Sequence, residues 1–163
     1  MTEITIRELE ERDIEACAEI NISTFPWTAF GLKKEGAMKF QYDRLGKDLV
    51  FVAENKEGEV LGFIAIKKDI LFANYIRRIV LREDTRGKGI GSKLIKFIEE
   101  KTVKSKLPNV FLLCSTTNEK AIAFYEKNGY KKIGKVEDFV DKGMHEYIFW
   151  KSFGTINEFE AYD

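Results

Sequence analysis

Ile79-Val80-Leu81-Arg82-Glu83-Asp84-Thr85-Arg86-Gly87-Lys88-Gly89-Ile90-Gly91-Ser92 runs from a β-rich segment through a glycine-rich turn into a helix. Glycines at 87, 89 and 91 let the backbone approach a ligand without side-chain clashes, and the first N–H groups of the helix have no partner within it. The helix dipole and these free donors both favour negative charge, so phosphate suits the site. Arg86 and Lys88 add cationic charge at its rim. Two familiar phosphate loops fail on spacing. A P-loop needs four residues between its first glycine and a Gly-Lys-Ser/Thr. The dinucleotide fingerprint needs GxGxxG, whereas Gly87, Gly89 and Gly91 make GxGxG, with no acidic residue at a second strand end about 20 residues on. What remains is Arg86-x-x-Gly89-x-Gly91, which taken alone also fits a plain glycine-rich turn.

Outward from this turn, Tyr75 to Leu81 reads as a strand and Gly89 to Thr102 as an amphipathic helix, with Ile90, Leu94, Ile95 and Ile98 on one face. Upstream, Leu49–Ala53 and Val60–Ile66 flank Asn55-Lys56-Glu57-Gly58 as an antiparallel hairpin. An opening strand around Ile4–Leu9 precedes a helix over Asp13–Ile22, a loop over Ser23–Gly36 and a helix over Lys34–Leu45. Downstream come a buried strand, Val110–Cys114, a helix over Asn118–Lys127 closed by Asn128-Gly129, and two strands near Tyr130–Val136 and His145–Phe153.

A second motif follows the strand after the glycine-rich turn: Asn118-Glu119-Lys120-Ala121-Ile122-Ala123-Phe124-Tyr125-Glu126-Lys127-Asn128-Gly129-Tyr130. It resembles the Asn-x-x-Ala-x-x-Phe/Leu-Tyr-x-x-x-Gly-Phe/Tyr signature of the GNAT superfamily of N-acetyltransferases. The Arg86, Gly89, Gly91 pattern is similar to that family's acetyl-CoA pyrophosphate loop. The resemblance implies an α/β fold with a mixed, mostly antiparallel sheet of about seven strands, flanked by about four helices and splayed between strands 4 and 5. It implies acetyl-CoA as cosubstrate, with the backbone of Ile79, Val80 and Leu81 pairing with pantetheine and the loop Arg86, Gly87, Lys88, Gly89, Ile90, Gly91 and Ser92 holding the pyrophosphate. It further implies that Asn118 caps its helix and reaches the pantetheine arm, and that Tyr125 protonates the leaving sulfur. A phenol with a pKa of about 10 stays protonated at neutral pH and can fill that role. The plainer reading of Tyr125 is an aromatic core residue beside Phe124.

The 163 residues suffice for one core, and the chain is read as a single domain over 1–163 with a tail, 154–163, of undetermined role in packing, homodimer assembly or fraying. Lys plus Arg is 27 and Asp plus Glu is 27, so the basic excess of a dedicated nucleic-acid binder is absent. No apolar run of membrane-spanning length and no signal peptide appear, which points to a cytoplasmic protein with no membrane partner. Cys17 and Cys114 lack ligand spacing and His145 is the only histidine, so no metal is expected and a His-based triad is excluded.

Many members of the family carry a glutamate in strand 4, but Asn74-Tyr75-Ile76-Arg77-Arg78-Ile79 has none. The base is left to a water chain, Glu83 or a residue from another strand. Arg77 or Arg78 could face an acidic acceptor group or be solvated edge charge. Phe25, Trp27 and Phe30 could roof an acceptor pocket or anchor the core. His145, beside Glu146, reads as surface or structural, and Cys114 as a small core residue. The expected activity is acetyl transfer to a primary amine by direct attack, the acceptor being a peptide N-terminus, a lysine or a small amine. The alternative is a non-catalytic acyl-CoA-binding sensor or assembly module.

Overall fold

Uninterrupted apolar runs mark strands covered on both faces, and Val50–Glu54 (β2) and Val60–Lys67 (β3) are buried at nearly every position. They pair antiparallel from Val50↔Ala65 to Ala53↔Gly62. The turn between them is built by Asn55, whose side-chain oxygen accepts the backbone N–H groups of Glu57 (3.1 Å) and Glu59 (2.8 Å). The computed structural model describes residues 3–161; Met1 and Thr2, and the last two residues of the tail, Tyr162 and Asp163, lie outside the described residues. The remaining elements are β1 (Thr5–Glu8), α1 (Ile14–Ile22), α2 (Lys34–Tyr42), β4 (Ala73–Leu81), α3 (Ile90–Lys104), β5 (Asn109–Ser115), α4 (Glu119–Lys127), β6 (Lys131–Val136), β7 (Glu146–Ser152) and α5 (Ile156–Phe159). The sheet has seven strands in the order β1-β2-β3-β4-β5-β7-β6. β4 and β5 are a parallel pair, and β1–β2, β2–β3, β5–β7 and β6–β7 pair antiparallel. This is the mixed sheet anticipated from the motifs.

The residues group into two compact units, 1–66 with 78–97, and 67–77 with 98–163. In the first, α1 and α2 cover one face of the β2–β3 hairpin through Ile14, Cys17, Ile20 and Phe40 against Val52 and Phe63. Phe51, on the other face, meets the Phe97 ring of α3 at 5.1 Å. Burying one such side chain contributes about 1.5–3 kcal/mol. Trp27 packs against the core cluster, the anchoring role weighed for it, whereas Phe25 is exposed.

In the second unit the β4–β5 ladder covers only Ala73↔Asn109 to Ile76↔Leu112, four pairs between strands of nine and seven residues. A ladder this short agrees with the splayed sheet that the family resemblance implies. Asn74 secures its start: buried, it donates to Thr102 Oγ1 at 2.8 Å and accepts from Asp69 N at 3.3 Å. β5 continues beside β7, which pairs in turn with β6. The tail forms α5, a fifth helix beyond the four anticipated. Its capping box joins Thr155 and Glu158, with Glu158 N donating to Thr155 Oγ1 at 3.2 Å and Thr155 N to Glu158 Oε2 at 2.6 Å.

Gly62 sets how closely β3 approaches the end of β4. A Cβ at this position would lie 2.5 Å from the Val80 carbonyl oxygen and 2.6 Å from Leu81 Cδ2. Because the nearest obstacle is backbone, Gly62→Ala is expected to cost about 1–3 kcal/mol, measured as a lower urea midpoint with an unchanged slope.

Candidate functional site

The glycine-rich turn grows from the end of β4 in the first unit. Arg82 N donates to Leu61 O at 2.8 Å, and the Thr85 hydroxyl, buried, donates to Arg82 O at 2.7 Å and lies 3.3 Å from Leu61 O. The Arg82 guanidinium grips both oxygens of Asp84 (2.7 and 3.1 Å), which holds that carboxyl below its ordinary range. Past this clamp, Gly87 and Gly89 adopt φ of +74° and +81° with open space where a Cβ would stand. Residues with a side chain avoid this conformation. Lys93 N donates to Gly89 O at 3.1 Å, so the N–H groups of Ile90, Gly91 and Ser92 precede the first helical bond and have no helical acceptor. Arg86 and Lys88 are exposed beside them, and Glu83 is exposed in the turn. Ile79 and Leu81 are half-buried, and Val80 is buried in the core cluster.

Arg78 has a packing role. Its guanidinium donates to Asn21 Oδ1 at 2.6 Å and lies 3.7 Å from the centre of the Phe40 ring. Of the two strand-4 arginines, Arg77 is the exposed one.

In the second unit, Asn118 caps α4 as anticipated, its side-chain oxygen accepting Ala121 N at 3.2 Å. Tyr125 is buried, edge-on to Phe124 (5.3 Å) and tilted against Phe149 (5.8 Å). Its neighbour Tyr130 uses its hydroxyl, donating to Glu99 at 3.1 Å, and Glu99 also accepts from Lys151 at 2.9 Å. No hydrogen bond engages the Tyr125 hydroxyl among the described residues. Burial, reinforced by electrostatic coupling to Cys114, Glu146 and Tyr75, pushes its pKa upward and keeps the proton on. Cys114 is buried and its thiol pushed up to about 12, chiefly by desolvation, which makes it the core residue expected and no nucleophile.

His145 is structural: its Nδ1 accepts Asp138 N at 3.0 Å and its carbonyl accepts Thr116 N at 3.1 Å, tying down the β6–β7 loop. Glu146 is different. Only 6% exposed, on a strand paired on both sides, it faces Ser115 and Val136 in the registers of β5 and β6. No hydrogen bond or ion pair holds its carboxylate among the described residues, and burial raises its pKa to about 7. His145-Glu146-Tyr147-Ile148 carries no local sign of this burial; only pairing with both neighbouring strands produces it. Among the described residues no group of three or more His, Cys, Asp or Glu side chains could hold a metal, and no helix is long and apolar enough to cross a membrane.

Residues 46–132 match the family model described as an acetyltransferase (GNAT) domain, more than half of the chain. The chain belongs to the GNAT acetyltransferase family. The match spans both the glycine-rich turn and the Asn118–Tyr130 motif of this GNAT chain. Dictyostelium discoideum N-alpha-acetyltransferase 30 is 35% identical over 89 residues, 53% of this chain and 48% of that protein. The chain spans about half the length of the curated relatives it matches. Among solved structures, Ard1 of Thermoplasma volcanium superposes with a TM-score of 0.78 at 24% identity, covering 93% of this chain and 99% of that one. The PaiA N-acetyltransferase of Thermoplasma acidophilum, in complex with coenzyme A, superposes with a TM-score of 0.71 at 23% identity, covering 92% and 99%. These two likenesses show the fold.

The Glu146 environment has a measurable effect on stability. A carboxyl whose pKa rises from 4.5 to about 7 on folding supports the fold fully below 4.5, and that support is lost as pH rises through 7. Gln carries no charge to desolvate. Glu146→Gln should therefore melt with the wild type at pH 4 and about 6–12 °C above it at pH 8, since a rise from 4.5 to about 7 corresponds to about 3 kcal/mol, each kcal/mol moving the melting point of a domain of this size by about 2–4 °C.

Proposed function

We propose that this chain transfers the acetyl group of acetyl-CoA to a primary amine by direct attack. The observation that carries the reading is the start of α3, where left-handed Gly87 and Gly89 bare the amides of Ile90, Gly91 and Ser92 in a chain of the GNAT family. The pyrophosphate takes these donors, with Arg86 and Lys88 supplying positive charge at the rim. The backbone of Ile79 to Leu81 pairs with the pantetheine amides, and the Asn118 carboxamide meets the same arm. The amine nitrogen forms its bond to the thioester carbonyl carbon, the C–S bond breaks with its electron pair going to sulfur, and the Tyr125 phenol protonates that sulfur. A donor held protonated by burial and engaged by no other acceptor is suited to this step. The name of the Dictyostelium relative makes a peptide α-amino group the first acceptor to test.

Acetyl-CoA at a hundredfold excess over its Kd should stabilise the fold by about 2.7 kcal/mol, read as a melting shift that ATP and NAD do not reproduce. Gly89→Glu should abolish the shift, since it places a side chain and a negative charge among the amides. Thiol release should exceed background with at least one amine in a panel of peptides with free N-termini, lysine peptides, polyamines and amino acids. Tyr125→Phe should lower that turnover about 10²- to 10⁴-fold while preserving the melting shift. A melting shift without release for any amine would overturn transfer in favour of an acyl-CoA-binding module.

A further inference from the structure

Amines are protonated near neutral pH, so direct attack requires a group that takes a proton from the incoming ammonium. Strand 4 has no carboxylate to do so, and Glu83 is exposed in the turn after it. The second unit holds a carboxylate otherwise without employment. Glu146 opens β7 opposite Ser115, the last residue of β5, and therefore stands at the C-terminal end of the parallel pair, where ligands of open α/β sheets collect.

The registers also assign its face. Side chains alternate along a strand and directly paired residues share a face. Tyr75 stacks on Phe111 (4.9 Å) and Phe111 on its partner Trp150 (5.5 Å), so Glu146, four residues before Trp150, belongs to this aromatic face. Phe149 and the Tyr125 ring it touches belong to the other. The charge on Glu146 nevertheless bears on Tyr125, Cys114 and Tyr75, so the acid and the carboxylate are within electrostatic reach. The titratable groups that feel its charge are Tyr75 of β4, Cys114 of β5 and Tyr125 of α4, with His145 preceding it in the chain; Arg77 acts on Tyr75 and Lys132 on Cys114. None forms an ion pair or hydrogen bond with its carboxylate among the described residues.

We propose that Glu146 is the catalytic base: its carboxylate receives the acceptor's ammonium on the Tyr75–Phe111–Trp150 face and takes its proton. This rests on the transfer reading above and adds that the acceptor binds as a cation. One ammonium proton passes to Glu146 and on to solvent as the free amine attacks. The thiolate takes the Tyr125 proton, and the second proton lost by nitrogen restores the phenol, so the sum is one amide, one CoA thiol and one released proton. A carboxyl titrating near neutrality is matched to this work.

The test measures thiol release for the wild type, Glu146→Gln and Glu146→Asp with the most active amine of the panel, from pH 5.5 to 9.5. Wild-type kcat/KM should rise with a pKa near 7 and then level off. Glu146→Gln should be about 10²-fold or more slower at pH 7 and keep rising toward the pKa of the free amine, while Glu146→Asp restores the levelling. An undiminished acetyl-CoA melting shift shows that both variants are folded. Equal rates and profiles for Glu146→Gln and the wild type overturn the base assignment alone. A wild type that releases thiol with no amine overturns transfer and base together. Carbon-13 carboxyl titration supplies a readout needing no acceptor: a resonance absent from Glu146→Gln should titrate near 7, and titration in the ordinary glutamate range overturns the assignment.

Discussion

The missing side chain at Gly62 is the constraint on which the glycine-rich turn before α3 depends. Because nothing projects from it, the Val80 carbonyl and Leu81 can lie where a Cβ would otherwise be. The end of β4 is thereby held against β3, and the chain leaves it under the control of one acceptor, the Leu61 carbonyl, which takes the Arg82 N–H and lies beside the Thr85 hydroxyl. Two left-handed glycines then turn the chain into α3 with its first amides bare.

The second unit obeys a different rule, which is that burial separates groups by what else they are offered. Tyr130 and Tyr125 are both buried, yet Tyr130 spends its hydroxyl on a Glu99–Lys151 pair and Tyr125 has no such partner. Glu54 and Glu146 make the same contrast among carboxylates. Glu54 accepts Arg7 and Arg12, whereas Glu146 has only desolvation. A buried polar group without a partner costs stability, and Tyr125 and Glu146 both stand in that state among the described residues.

Much of this was legible in the residues themselves. Period-2 and period-3.6 patterns located seven strands and four helices, because alternation and the apolar stripe are local properties of β and α backbone. Gly87, Gly89 and Gly91 announced a turn whose backbone a ligand can approach, and the family resemblance added the Asn118 helix cap and the kind of cradle that Arg86, Gly89 and Gly91 form. The one-turn α5 was written in Thr155-x-x-Glu158 but is too short to show a period.

Tertiary structure alone decided which polar side chains were available for chemistry. Whether Arg78 or Arg77 faced the packed helices, whether Asn74 was satisfied, and whether Glu146 lay in water or under cover all depend on partners 28 to 57 residues away for the first two and on strand pairing for the third. Local sequence sets the conformation of the backbone because steric and capping forces act within a few residues. The state of a carboxylate is set by dielectric and neighbouring donors, which only the assembled sheet supplies.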